Sequence, residues 1–140
     1  MTALHLTFFF DLNRVHAQAT RRFDVQLGGV HGIGLNDLQL LYALDRAPDR
    51  RLRRVDLATQ LGVTPSGVTW MLRPLTKRRL VTSEASDTDA RVAFAVLTEA
   101  GHRLVADALP TARHLAEELL AAHLGKQELP LFAERFARLG

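Results

Sequence analysis

The stretch LATQLGVTPSGVTWMLRPLTKRRLVTS, Leu57 to Ser83, decides the fold. Leu57, Ala58 and Leu61 share one face of a short helix over 54–61, and Gly62 is a natural helix terminator. Thr64 and Pro65 then open a second helix. Threonine offers a side-chain oxygen to the free backbone N–H groups of the first turn, and proline fits the first helical position, where its missing N–H costs nothing. That helix runs to about Arg79. Helix, tight glycine turn and second helix make a helix-turn-helix. Two strands follow, 80–84 and 91–97, with Val92, Phe94 and Val96 on one face of the second. The polar tip between them, Ala85 to Ala90, closes a β-hairpin.

The second helix is amphipathic. At 100° per residue, Val68, Leu72 and Leu75 fall on one face, and Ser66, Trp70, Arg73 and Lys77 cluster on the other. Cations reach guanine edges or phosphates, and hydroxyls reach either. Thr69 lies beside this stripe and carries a methyl that suits a thymine methyl. Arg73 and Lys77 alone would also suit a solvated surface. Trp70 does not, because large aromatics are seldom exposed without use; it contacts DNA, the hairpin or another chain.

Working outward, residues 4–28 read as one amphipathic helix carrying Phe9, Leu12, His16, Phe23 and Leu27, ended by Gly28, Gly29, Gly32 and Gly34. A helix over 36–46 follows, with Asn36 as cap and Gln39 reaching back. Pro48 and the Arg50–Arg54 cluster come next, and that cluster reads equally as a phosphate contact or a solvated loop. On the far side of the hairpin, Thr98 caps a helix over 99 to about 123, bent at Pro110. After Gly125 a last helix carries Leu131, Phe132, Phe136 and Leu139, with Pro130 casting doubt on its start. The fold class is therefore mainly α with a small β-hairpin wing: a winged helix-turn-helix over 35–100, flanked by dimerisation helices over 1–34 and 101–140. Phe8, Phe9, Phe10, Leu131, Phe132 and Phe136 exceed what the small central core can absorb, and pairing two subunits would bury them.

The chain has 140 residues, 47% of them hydrophobic, 18 Lys and Arg against 15 Asp and Glu, and no cysteine. Thiolate chemistry, disulfides and thiol redox sensing are thereby excluded, and the composition is compatible with a cytoplasmic protein. No stretch reaches the length of a membrane span, and the N-terminus lacks the basic start of a signal peptide. The histidines, His5, His16, His31, His102, His114 and His123, have no metal-ligand spacing, and no glycine-rich phosphate loop is present. No metal, cofactor or catalytic centre is expected. A net charge of +3 is weak evidence by itself for a polyanionic partner.

Several short motifs in a shared order resemble the MarR family of bacterial and archaeal regulators. They are Leu35-Asn36-Asp37-Leu38-Gln39-Leu40, Leu57-Ala58 with Leu61-Gly62-Val63, Ser66-Gly67-Val68-Thr69, Leu80-Val81, Asp89-Ala90-Arg91 and Leu97-Thr98-Glu99-Ala100-Gly101. The resemblance implies a homodimeric regulator of transcription on double-stranded DNA, a repressor relieved by a small aromatic or phenolic effector. It places Arg91 in the minor groove, with Asp89 holding its guanidinium in a bidentate pair. It also implies an effector cleft between the dimer helices and the winged domain, with His16 and Tyr42 as candidate lining. On the sequence alone, ordinary packing explains both residues better. Four positions depart from the family's pattern. Arg79 stands where glycine is usual, Pro74 lies inside the second helix, and Thr88 and Ala90 replace wing cations. Phosphate affinity would then lean on Arg50, Arg51, Arg53, Arg54, Lys77, Arg78 and Arg79. The competing reading is a winged helix that docks protein without specific DNA binding.

Overall fold

A computed structural model describes residues 2–140. Its elements are α1 (Thr2–His31), α2 (Leu35–Arg46), a 3-10 turn (Pro48–Arg50), β1 (Arg51–Arg53), α3 (Arg54–Leu61), α4 (Pro65–Lys77), β2 (Val81–Ala85), β3 (Ala93–Leu97), α5 (Glu99–Ala121) and α6 (Glu128–Ala137). The helices agree in order with the expectation, and three differences have local causes.

First, α1 does not stop at Gly28. It continues through Gly28 and Gly29 to His31, and Gly32 ends it at φ 70°. Each helical glycine costs about 1 kcal/mol. Packing outweighs that cost, because Leu27 and Ile33 are buried with Leu38 and Ala108. Second, α2 starts at Leu35 rather than after Asn36. Asp37 accepts the Gly34 N–H at 3.0 Å, and Asp24 of α1 accepts the Leu35 N–H at 2.8 Å. Two carboxylates thus satisfy the first free amides, and Asn36 becomes an interior residue. Third, Arg51–Arg53 is a strand, not a loop. It pairs antiparallel with β3 (Leu52 opposite Ala95), and β2 pairs on the other side (Ser83 opposite Ala95), giving the order β1-β3-β2.

The caps behave as their residue types require. Thr64 Oγ1 accepts the Gly67 N–H, and Thr98 Oγ1 accepts the Gly101 N–H, each at 3.1 Å. Gly62 takes a left-handed φ of 69° between α3 and α4, so the tight turn needs its missing Cβ. Pro130 is tolerated because it is the third residue of α6, where no intrahelical acceptor awaits its N–H. α5 runs on through Pro110.

The core sits inside the winged module. Leu40, Leu41 and Leu44 of α2 meet Leu57 of α3, Val68, Leu72 and Leu75 of α4, Ala95 and Leu97 of β3 and Val105 of α5. The expected face of β3, Val92, Phe94 and Val96, is half-buried, whereas Ala95 and Leu97 face the core. A smaller cluster ties α1 to α2 and α5. Much of the terminal helices stays uncovered. Leu4, Leu6, Phe8, Phe9, Phe10, Leu131, Phe132 and Phe136 are all exposed. Among the described residues no helix is long and apolar enough to cross a membrane.

Candidate nucleic-acid interface

The amphipathic pattern of α4 orients its two faces. Val68, Leu72 and Leu75 are buried against the core, and Ser66, Trp70, Arg73 and Lys77 all face solvent. Trp70 is 71% exposed, which removes the wing as its packing partner within this chain. The Arg73 guanidinium lies over its ring at 5.2 Å from the centroid, a cation–π contact that organises both side chains. Ser66 shares a hydrogen bond with the Thr64 hydroxyl at 3.2 Å. Thr69 is half-buried and its hydroxyl donates to the Pro65 carbonyl at 3.2 Å, so its methyl is the group left for an outside contact. Pro74 withholds one N–H, yet α4 continues to Lys77 because its core face stays packed.

At the end of α4 the two arginines after Lys77 part company. Arg79 takes a left-handed φ of 61°, the conformation that glycine would adopt freely. The Leu80 N–H then reaches back to the Leu75 carbonyl at 3.0 Å. Arg78 turns away from the α4 stripe and donates to the Gly32 carbonyl at 2.7 Å, joining α4 to the end of α1. One nitrogen of its exposed guanidinium is thus engaged within the chain.

The wing carries Arg91 with its side chain 92% exposed. Asp89 holds it, but not through the expected bidentate pair. One oxygen, Oδ1, accepts both the Arg91 backbone N–H at 3.0 Å and Nε at 3.3 Å. The turn makes this geometry, because the short span from Asp89 to Arg91 brings the carboxylate under the backbone amide first. The terminal guanidinium nitrogens therefore remain available to a ligand.

The arginine run between α2 and α3 resolves into several roles. Arg50, itself at φ 52°, meets Glu99 at 3.2 Å and Asp45 at 3.9 Å. The same Asp45 oxygen lies 2.6 Å from His102 Nδ1. Arg51 pairs with Glu84 at 3.1 Å and covers the Phe94 ring at 4.0 Å. Arg53 pairs with Asp56 at 2.8 Å, and this hydrogen bond, reinforced by the carboxylate's charge, holds its guanidinium above the ordinary arginine range. These three cations are largely balanced inside the module, which favours neither of the readings open for the whole cluster. Helical spacing could expose only the Arg53–Asp56 pair, since Glu84 and Glu99 lie far away in the chain and Asp45 is joined to Arg50 across a turn.

Within the single chain, His16 and Tyr42 line no common groove. His16 is exposed on α1 and lines an open groove of about 410 Å3 with Phe9, Leu12, Asn13 and Phe136. Tyr42 is absent from that lining. It packs half-buried against the core, and its hydroxyl accepts from Arg46 at 2.9 Å. The two lie on different helices with different neighbours. No group of three or more His, Cys, Asp and Glu among the described residues is placed to hold a metal ion.

This arrangement has recognisable relatives. The MarR family model matches residues 31–92, the part of the chain that holds α2 to the wing. Over 140 residues the chain is 25% identical to the HTH-type transcriptional regulator MhqR of Bacillus subtilis (strain 168), covering all of this chain and 94% of that protein. Among solved structures, Sco3205 of Streptomyces coelicolor, a MarR family transcriptional regulator in complex with DNA, superposes with a TM-score of 0.88 at 23% identity, covering 99% of this chain and 87% of that one. The MepR–DNA complex of S. aureus gives a TM-score of 0.83 at 19% identity, over 94% and 95% of the two chains. At these identities the structural likeness speaks for the fold.

Proposed function

We propose that the chain is a MarR family transcriptional regulator, and that it binds a palindromic operator in duplex DNA as a homodimer and represses transcription until a small aromatic ligand releases it. The observation that carries the DNA contact is the outward face of α4. Arg73 and Lys77 have no carboxylate partner among the described residues, and they follow an exposed Trp70 along the same face. Arg91 reaches out from the wing, its side chain 92% exposed. In this reading Arg73 and Trp70, with Ser66 and Thr69, meet base edges in the major groove, Lys77 meets a phosphate, and Arg91, held by Asp89, enters the adjoining minor groove.

The homodimer rests on uncovered apolar surface. The phenylalanines of α1 and α6 include two ring pairs, Phe8 with Phe9 and Phe132 with Phe136, left open to solvent in a single chain. A two-fold pairing would cover them and set two recognition helices at a fixed separation. The repressor role and the aromatic ligand follow the family resemblance.

The test is selection of bound duplexes from a random pool. The expected product is an inverted repeat with half-site centres about 10 bp apart. Enrichment of an asymmetric motif would refute two-fold docking, and no enrichment at all would refute sequence-specific binding.

A further inference from the structure

One arginine of the run before α3 is left over. Arg50, Arg51 and Arg53 each have carboxylate partners, but no carboxylate lies within 4.0 Å of Arg54 among the described residues. Its one side-chain bond is long, from Nη2 to the Ser83 hydroxyl at 3.4 Å, and its Nε is buried with no acceptor. A half-buried guanidinium short of acceptors and of a counter-charge is costly to keep. Its position gives a reason for keeping it. Arg54 lines a groove of about 380 Å3 along the flank of α4, together with Thr69, Leu72, Arg73, Thr76 and Lys77. Three cations and two threonines surround this groove without a single carboxylate.

That chemistry calls for an anion, and the position beside the outward stripe of α4 names its source. A helix lying in the major groove is bordered on each side by a sugar–phosphate strand. Arg54 comes from the first residue of α3, at the border of the stripe rather than on its crest. We propose that this groove seats one backbone phosphate of the bound duplex in each half-site, with Arg54 as its anchor and Lys77 as its second cation. The assignment rests on the DNA-binding reading above and adds to it a site that carries affinity without sequence preference. The arginine is held in place in advance by the fold, so less side-chain freedom is lost on contact than for a fully solvated lysine.

The test uses the full chain and the duplex selected from the random pool. Wild-type and Arg54→Ala protein are titrated over a range of salt concentrations. The expected result is a salt slope, log K against log[salt], reduced by about 1 per protomer, with affinity lowered alike for specific and random duplexes. Replacing phosphates one at a time by neutral methylphosphonates identifies the contact. One position per half-site should weaken wild-type binding clearly more than it weakens Arg54→Ala binding, which keeps only the Lys77 contact to that phosphate. Arg54→Lys should keep the slope. If melting shows that Arg54→Ala fails to fold, Arg54→Gln, which can still donate to Ser83, takes its place in the same titration. An unchanged slope in a folded variant overturns the anchor while leaving DNA binding intact. A loss confined to particular sequences overturns it too, because Arg54 would then read a base. If wild-type protein fails to retain random duplex even at low salt, the DNA-binding reading itself falls.

Discussion

The winged module and the terminal helices are built from the same kind of amphipathic pattern, but only one of them is closed within a single chain. In the module, leucines from α2, α3 and α4 interlock with β3 and α5 until Leu40, Leu41, Leu44, Leu57 and Leu75 lose all or nearly all solvent contact. In α6, by contrast, no residue is buried, and the apolar side chains of its face stand open. A hydrophobic stripe gains nothing from its periodicity until something covers it. The module's stripes are covered by one another, whereas those of the ends stand open in the single chain, where the proposed second copy would cover them. The first region should therefore respond to substitution as an ordinary core, and the second as an interface.

The largest expected effect belongs to the closed region. Leu75→Ala removes a fully buried side chain at the centre of α4 and should cost about 2–5 kcal/mol of stability by chemical denaturation, with the folded fraction retaining the parent oligomeric mass. A loss below about 1 kcal/mol would mean that the module core is loosely packed. Gly101→Val should be comparably severe, since even a Cβ there would stand 2.2 Å from the Leu80 carbonyl oxygen. The open region gives the opposite signature. Removing residues 125–140, or residues 1–12, should yield monomer or aggregate in sedimentation. A truncated chain that stays folded at the parent mass would place the dimer contact elsewhere.

Smaller effects separate binding from folding. Arg73→Ala should weaken specific binding by about 1–3 kcal/mol and relax preference at one position per half-site. Its side chain is exposed, so the melting temperature should stay within a degree or two of the parent. Arg91→Ala should weaken binding most on A-tract flanks, where the minor groove is narrow. Asp89→Ala should reproduce only part of that loss, because the arginine remains. Folded Arg73 and Arg91 variants with parental affinity and salt dependence would remove both residues from the interface. Thr64→Ala, which takes the acceptor from the Gly67 N–H, should cost about 1 kcal/mol of stability with little direct change in contacts to DNA. A larger fall in affinity than in stability would mean that the cap also positions the stripe.

What was legible in the sequence was what is decided within a few residues. Gly62, Thr64-Pro65 and Thr98 announce turns and caps through their own backbone chemistry, and the spacing of Val68, Leu72 and Leu75 assigns both faces of α4. Features fixed by distant partners were not legible. The strand Arg51–Arg53 is charged and three residues long, and exists because β3 offers an edge more than forty positions later. The arginine cluster was ambiguous because Glu84 and Glu99 reach it only through the fold. Asn36 lost its capping role to Gly34 and Asp37 because Asp24, on another helix, supports the earlier start. The stripe on α4 was visible from its periodicity, but the bond from Arg78 to the Gly32 carbonyl was not.

The smallest effect concerns Arg79, where a residue departs from local backbone preference. Its φ of 61° is imposed by the passage from α4 to β2, in which the Arg79 N–H meets the Thr76 carbonyl and the Leu80 N–H meets the Leu75 carbonyl, each at 3.0 Å. Its own carbonyl accepts from the Thr98 hydroxyl at 2.7 Å, which fixes the turn from the other side. A side chain in this conformation costs about 1–2 kcal/mol through contact between Cβ and the backbone. Glycine removes that cost but gives the unfolded chain more freedom, which offsets it by about 0.4–1 kcal/mol. Arg79→Gly should therefore stabilise the protein by about 0.5–1 kcal/mol and raise its melting temperature by a few degrees. The same variant asks whether this exposed cation meets DNA. A salt slope reduced by about 1 per protomer would place Arg79 on a phosphate, and an unchanged slope would leave it a solvated residue kept at a backbone cost. A fall in stability would show that the turn is held by the arginine side chain rather than by the backbone bonds around it.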